Sequence, residues 1–306
     1  MIMDKQKLLT WPPVVIFLAL CCALLWGSAF PMVKIGFKML QVEQSTGGKL
    51  YFAAYRFLLA GLMIFGALFA SGTSILLPSK RDYALLLLLG LLQTTLQYIF
   101  FYIGLSNTTG MKASIINGAG SFFLALSSHL WIKDDVLTTR KNLGLILGFL
   151  GIVLVNLKQR QFDFEFHLTG EGFIFFTALA STCGMLLVKK NSLRIHPPLL
   201  SAYQLTFGAL VLLGIARVLE PPGALHFTSA AFLLLLYLGF VSAAAFSLWY
   251  VLVKYNQLTS IAVYRFLIPV SGTFLSAAVL AEEHLTWIAL LSLALVSLGM
   301  ILTSWR

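Results

Sequence analysis

Residues 53–61 read AAYRFLLAG, and 148 positions later residues 201–209 read SAYQLTFGA. At the same offset DDVLTTRKNLGLILGFLGIVLV (134–155) falls on EEHLTWIALLSLALVSLGMILT (282–303), so Leu137-Thr138 meets Leu285-Thr286 and Gly151 meets Gly299. A slightly larger offset sets ALLWGSAFPMVK (23–34) against ALASTCGMLLVK (178–189), with Lys34 on Lys189. Any two apolar stretches look alike, but hydrophobicity alone does not dictate Gly, Thr, Tyr and acidic residues at matched places. The pattern therefore reads as an internal duplication with halves 1–158 and 159–306.

Composition sets the solvent. Of 306 residues, 59% are hydrophobic and 10% charged, with mean hydropathy +0.91; soluble domains carry about 25% charged residues. Apolar windows of the length a hydrocarbon core of about 30 Å demands fall at 14–36, 51–70, 83–104, 112–131, 141–157, 171–190, 199–218, 227–252, 259–280 and 286–304. The breaks between them are short; the longest polar insertion, KQRQFDFEFHLTGE (158–171), falls midway. The expected fold is an all-α integral membrane protein of ten transmembrane helices. Five per half is an odd number, which inverts the second repeat relative to the first, as in secondary transporters. The run from Val14 is expected to be a retained helix rather than a secretory signal, because no small-residue cleavage pattern closes it.

Lys and Arg concentrate in cytoplasmic loops. A cytoplasmic N-terminus puts twelve basic residues inside (Lys5, Lys7, Lys80, Arg81, Lys133, Arg140, Lys141, Lys189, Lys190, Arg194, Lys254, Arg306) and seven outside (Lys34, Lys38, Lys49, Lys112, Lys158, Arg160, Arg217). Both termini are thus expected in the cytoplasm, in a plasma membrane of bacterial type. The net charge of +10 reads as attraction to anionic lipid headgroups; no basic, aromatic stripe points to nucleic acid. Cys21, Cys22 and Cys183 sit in apolar runs without metal-ligand spacing, and no cofactor is expected.

The segments WGSAFPMVKIG (26–36), AYRFLLAG (54–61), the Gly, Asn and Thr turn before the fourth span, and LAEEHLTWIALLSLALVSLGMIL (280–302) resemble the drug/metabolite transporter superfamily, in its ten-helix branch of two EamA-like repeats. The resemblance spans nearly the whole chain. It implies a carrier with a central cavity lined by spans 1, 3, 4, 6, 8 and 9 and alternating access. One departure is Lys133-Asp134-Asp135, where such repeats usually carry a glutamate.

Candidate substrate residues follow. Thr94, Tyr98 and Tyr102 lie at i, i+4 spacing in span three, and the repeat offset sets Ser242, Phe246 and Tyr250 against them, with Trp249 adjoining. Belt or packing roles compete for these rings. Arg265, preceded by Tyr264, is the charged candidate in span nine, and its repeat partner is Asn117. Trp26 is a candidate stacking surface beside Ser28; Gly27, Pro31, Lys34, Gly184 and Pro269 are candidate hinge or gate positions. Arg56 is expected to be structural, capping carbonyls or pairing with an acid.

Absences shape the substrate class. The acids fall at span ends or in loops, which argues against a cation antiporter with a buried carboxylate and leaves anionic, zwitterionic or neutral metabolites, amino acids foremost. A multidrug or nucleoside-type efflux carrier is the alternative. No nucleophile, paired acids or His-containing cluster within the spans supports a membrane-embedded enzyme. TGGK (46–49) lacks Walker spacing, Asn107-Thr108-Thr109 abuts the membrane, and Gly144 with Gly148 reads as a helix-packing face, within the chain or toward a second protomer. The expected partners are a small-molecule substrate and lipid, with a monomer as the assembly and a homodimer as the alternative.

Overall fold

The computed structural model describes residues 5–77, 79–108, 110–156, 166–221, 225, 227–279 and 287–304, and among them every regular element is helical. After a short helix, Lys5–Thr10, come α1 (Pro12–Met39), α2 (Thr46–Ala70), α3 (Lys80–Gly90, Leu91–Leu96 and Gln97–Ser106), α4 (Gly110–Trp131) and α5 (Thr139–Asn156). The later elements are α6 (Leu168–Gly172 and Phe173–Asn191), α7 (Pro197–Leu219), α8 (Ser229–Tyr255), α9 (Leu258–Ile261, Ala262–Phe266 and Leu267–Val279) and α10 (Trp287–Ser304). Seven of these, α1, α2, α3, α6, α7, α8 and α9, are long and apolar enough to cross a bilayer, and Trp287–Thr303 is a shorter apolar helix. Lipid offers no hydrogen bonds, so the backbone closes its own in helices. The protein is an integral membrane protein.

Local chemistry starts each helix. Pro12 and Pro197 stand at the first helical positions of α1 and α7, where the missing N–H would be unpaired anyway. The Ser45 Oγ accepts from Gly48 N at 2.7 Å to cap α2, and Thr228 Oγ1 accepts from Ala231 N at 3.1 Å to cap α8. Asp82 accepts from Ser79 N at 3.1 Å in the capping box of α3.

The connections sort onto two faces. On one, Asn256 Nδ2 donates to Leu9 O at 3.0 Å, Gln257 Nε2 to Asp134 O at 2.6 Å, Tyr203 OH to Ile75 O at 2.9 Å, and Arg194 pairs with Asp82. On the far face Glu220, at the end of α7, accepts from Ser45 Oγ and its carbonyl from Tyr51 OH at 3.0 Å, while Thr108 donates to Glu171. Helices α2 and α7 pack on each other extensively, as do α5 and α10; α1 lies against α8 and α9, and α6 against α3 and α4.

Small residues allow the closest crossings. A Cβ on Gly144 would lie 2.0 Å from Thr303 Oγ1, and one on Gly299 2.5 Å from Gly144 O. The Gly144 and Gly148 face is therefore buried against α10 and α9 within this chain. Helix α1 runs without a break through Gly27, Ser28 and Pro31, although the ring of Pro31 cannot donate to the carbonyl one turn earlier. The departures from α geometry lie elsewhere: π-helix at Leu91–Leu96 and Leu168–Gly172, and 3-10 helix at Ala262–Phe266.

Gly148→Leu tests the internal use of that face, because a Cβ there would sit 2.2 Å from the Phe266 ring. Thermal unfolding of the purified protein should show a loss of about 1–3 kcal/mol or more. Gly66→Ala, where nothing lies within 4 Å, should gain up to about 1 kcal/mol.

Candidate functional site

Two of the irregular segments deliver polar side chains to one residue of α6. Gln93, on the π segment, donates from Nε2 to Ser181 O at 2.8 Å. Gly184 makes room for it, since a Cβ there would lie 2.4 Å from that nitrogen. Arg265, on the 3-10 segment, donates from Nη2 to Ser181 Oγ at 3.2 Å. π and 3-10 turns commonly mark such sites because they re-aim side chains that a regular helix would stack.

What these side chains leave unpaired defines the site. Arg265 Nη1, Gln93 Oε1 and Gln97 Oε1 are buried without a hydrogen-bond partner, and among the described residues no carboxylate pairs with Arg265. Each unsatisfied buried polar atom costs about 1–3 kcal/mol, and a charge in hydrocarbon several more. A cationic donor, Arg265, and a neutral amide, Gln93, thus converge on Ser181, a set that a ligand with an acid and an amino group would satisfy.

The candidate rings pack on one another. Trp26 lies edge-on to Phe246 at 5.3 Å and Trp249 at 5.7 Å, and Phe246 to Tyr250 at 6.1 Å. Tyr98 stands 4.5 Å from Phe57 and 6.2 Å from Tyr102. Together with Tyr264 they belong to one contiguous apolar core. Ser28 is placed apart: its hydroxyl donates to Leu25 O at 2.7 Å and accepts from Tyr237 OH at 2.7 Å, and Tyr237 is exposed. Asn117 and Lys34 are exposed as well. Gly27 packs on Ser271 and Gly272 of α9, and Pro269 is partly buried.

The offset of 148 sets Arg56 on Gln204 and Thr94 on Ser242, and the bonds run crosswise between these pairs. Gln204 Nε2 donates to Thr94 Oγ1 at 2.6 Å; Arg56 Nε donates to Ser242 Oγ at 2.8 Å. Gln204 also accepts from Tyr250 OH at 2.8 Å. The sequence reading left Gln93 and Gln204 out of the candidate site, although the repeat alignment already set a glutamine on an arginine inside a span.

A further polar cluster ties the halves together at the N-terminal face. Asp135 accepts from Leu258 N at 2.6 Å, Thr259 N at 3.2 Å, Ser128 Oγ at 2.5 Å and the Thr259 hydroxyl. Lys141 Nζ donates to Val136 O, Gln257 Oε1 and Thr259 Oγ1, each at 2.7 Å. Lys189 Nζ closes the end of α8 on Val253 O at 2.9 Å and Asn256 O at 2.5 Å, as cations do at helix C-termini. His129 accepts from Leu137 N at 3.4 Å in a connecting turn.

This geometry has counterparts in known proteins. Residues 13–157 and 168–305 each match the EamA-like transporter family. The chain belongs to that family. An uncharacterized transporter of Archaeoglobus fulgidus is 28% identical over 264 residues, 85% of this chain and 87% of the relative. A probable amino-acid metabolite efflux pump of Salmonella typhimurium is 26% identical over 299 residues, 93% of this chain and 92% of the relative. A crystal structure at 16% identity superposes with a TM-score of 0.77 over 94% of each chain and shares the fold. Membership of the EamA-like family makes the protein a membrane transporter rather than an enzyme.

Tyr250→Phe should expose what the Gln204 circuit contributes. It strands Gln204 Oε1 in a buried place, so thermal unfolding should report a loss of about 1–3 kcal/mol.

Proposed function

We propose that this EamA-like protein is a secondary active transporter that exports or exchanges small zwitterionic or anionic metabolites, amino acids foremost, by alternating access. The observation that carries the reading is Arg265, whose buried Nη1 has no partner and which no carboxylate pairs among the described residues, held on Ser181 beside the free acceptor of Gln93. A substrate carboxylate would take the open Nη1, and its ammonium group would donate to Gln93 Oε1 and Gln97 Oε1. Charged hydrogen bonds of this kind strengthen where water is excluded. Trp26, Tyr98, Tyr102, Phe246, Trp249, Tyr250 and Tyr264 would wall the remainder of the site. The amino-acid metabolite named for the Salmonella relative agrees with that chemistry.

The supporting architecture is ten membrane spans in two inverted five-helix repeats, 1–158 and 159–306. Three observations support it. The family matches the chain in two separate stretches. Exchanging the halves maps the contacts of α1 with α8 and α9 onto those of α6 with α3 and α4. The Arg56–Ser242 and Gln204–Thr94 bonds are equivalent under the repeat. The cluster of Asp135, Lys141 and Thr259 would close the N-terminal, cytoplasmic face, and Gly27, Pro31, Gly184 and Pro269 would accommodate the rocking of α1, α6 and α9, with Lys34 at the outer rim.

Arg265→Ala in proteoliposomes should abolish counterflow of the amino acids that wild type carries, and Arg265→Lys should retain a minor fraction, since an ammonium cannot reproduce the planar fork. Unimpaired counterflow by the Ala variant sinks the reading. Topology is checked by maleimide labelling: Phe166→Cys in a cysteine-free background should react with an impermeant reagent applied from outside the cell.

A further inference from the structure

Arg56 poses a separate problem. It is only 5% exposed, and among the described residues its sole hydrogen bond is from Nε to Ser242 Oγ, with no carboxylate beside it. The guanidinium lies over the Phe57 ring at 5.2 Å, and Phe57 in turn packs on Tyr98.

The equivalent position shows what packing alone requires. Gln204 makes the same helix-to-helix bond with a neutral amide and closes its circuit on the Tyr250 hydroxyl. An amide therefore suffices to join these helices. At position 56 the chain carries instead a cation, whose burial costs several kcal/mol unless something compensates it, and which among the described residues has no carboxylate partner. A cation–π contact returns only about 0.5–2 kcal/mol of that cost.

We propose that Arg56, with Tyr98, is a second anion-binding point that takes the carboxylate of a small organic acid. It lies at a different depth from the Ser181 site. Arg56 sits in the half of α2 nearer the far face, where Thr46 begins the helix, whereas Arg265 sits in the half of α9 nearer the N-terminal face. An anionic substrate would thus meet, toward each side of the membrane, one arginine that has no carboxylate partner among the described residues. The Tyr98 hydroxyl can donate to the same carboxylate that the guanidinium attracts, which the closed Tyr250–Gln204 circuit on the other side cannot do. The inference rests on the reading of the chain as a carrier of anionic or zwitterionic metabolites.

The test separates the two sites by using Arg265→Gln as background. Purified protein is titrated with sodium acetate and sodium succinate at constant ionic strength, and thermal unfolding is recorded. The Arg265→Gln variant should still be stabilised by at least one of these acids. Adding Arg56→Gln should raise the concentration for half-maximal stabilisation about tenfold or more, the effect of losing one charged contact of about 1.4 kcal/mol; Arg56→Lys should retain most of the response. The proposal is overturned if neither acid stabilises Arg265→Gln, or if the double variant responds as strongly as its parent. It is equally overturned if Arg56→Gln alone fails to fold, because the charge is then structural. Failure of the Ser181 reading shows differently, as counterflow that survives Arg265→Ala.

Discussion

Polar groups inside a bilayer have no water to fall back on, and this constraint organises the molecule. The backbone meets it by folding into helices. Side chains meet it in a few buried circuits: Asp135 with Thr259 and Ser128, Gln204 with Thr94 and Tyr250, Glu171 with Thr108. Each circuit joins helices distant in sequence, so satisfying a polar atom and fixing a tertiary contact are the same event. Against this background the exceptions stand out. Arg265, Gln93 and Gln97 retain unpaired buried atoms, and such defects persist where function compensates for them.

Close approach is the second requirement, and it follows from the first. Helices in lipid gain little from hydrophobic exclusion, so they associate through packing and short polar contacts. Gly208 leaves space for Thr94, and Thr95 Oγ1 donates to Gly208 O at 3.0 Å. Gly184 does the same for Gln93. The small residues at these crossings set how near the helices come, and hence whether a short side chain can reach a neighbour's carbonyl.

Much of this was legible in the residues. The apolar windows located the helices to within a few residues, because a span's length is set by membrane thickness rather than by neighbours. The repeat offset brought Thr94, Tyr98 and Tyr102 into register with Ser242, Phe246 and Tyr250, all buried or partly buried in the core. At Gly27 and Pro31, the candidate hinge or gate positions, α1 stays helical, while α3 and α9 carry the irregular turns. No composition signal marks a π turn: Leu91–Leu96 departs from α geometry through the partners its polar side chains find on α6 and α7.

The sequence by itself determined that the chain is a helical membrane protein built on a duplicated pattern, because solvent and period act on each segment separately. Tertiary structure alone decided which polar residues are satisfied. Arg56 and Arg265 look alike as isolated charges in apolar runs, and so do Gln93 and Gln204 as amides. Only the arrangement of neighbouring helices shows that Gln204 completes its hydrogen bonds within the protein, while Gln93 and Arg265 do not. Hydrogen bonding reaches about 3 Å, and which atoms come within that distance across the sequence is a property of packing.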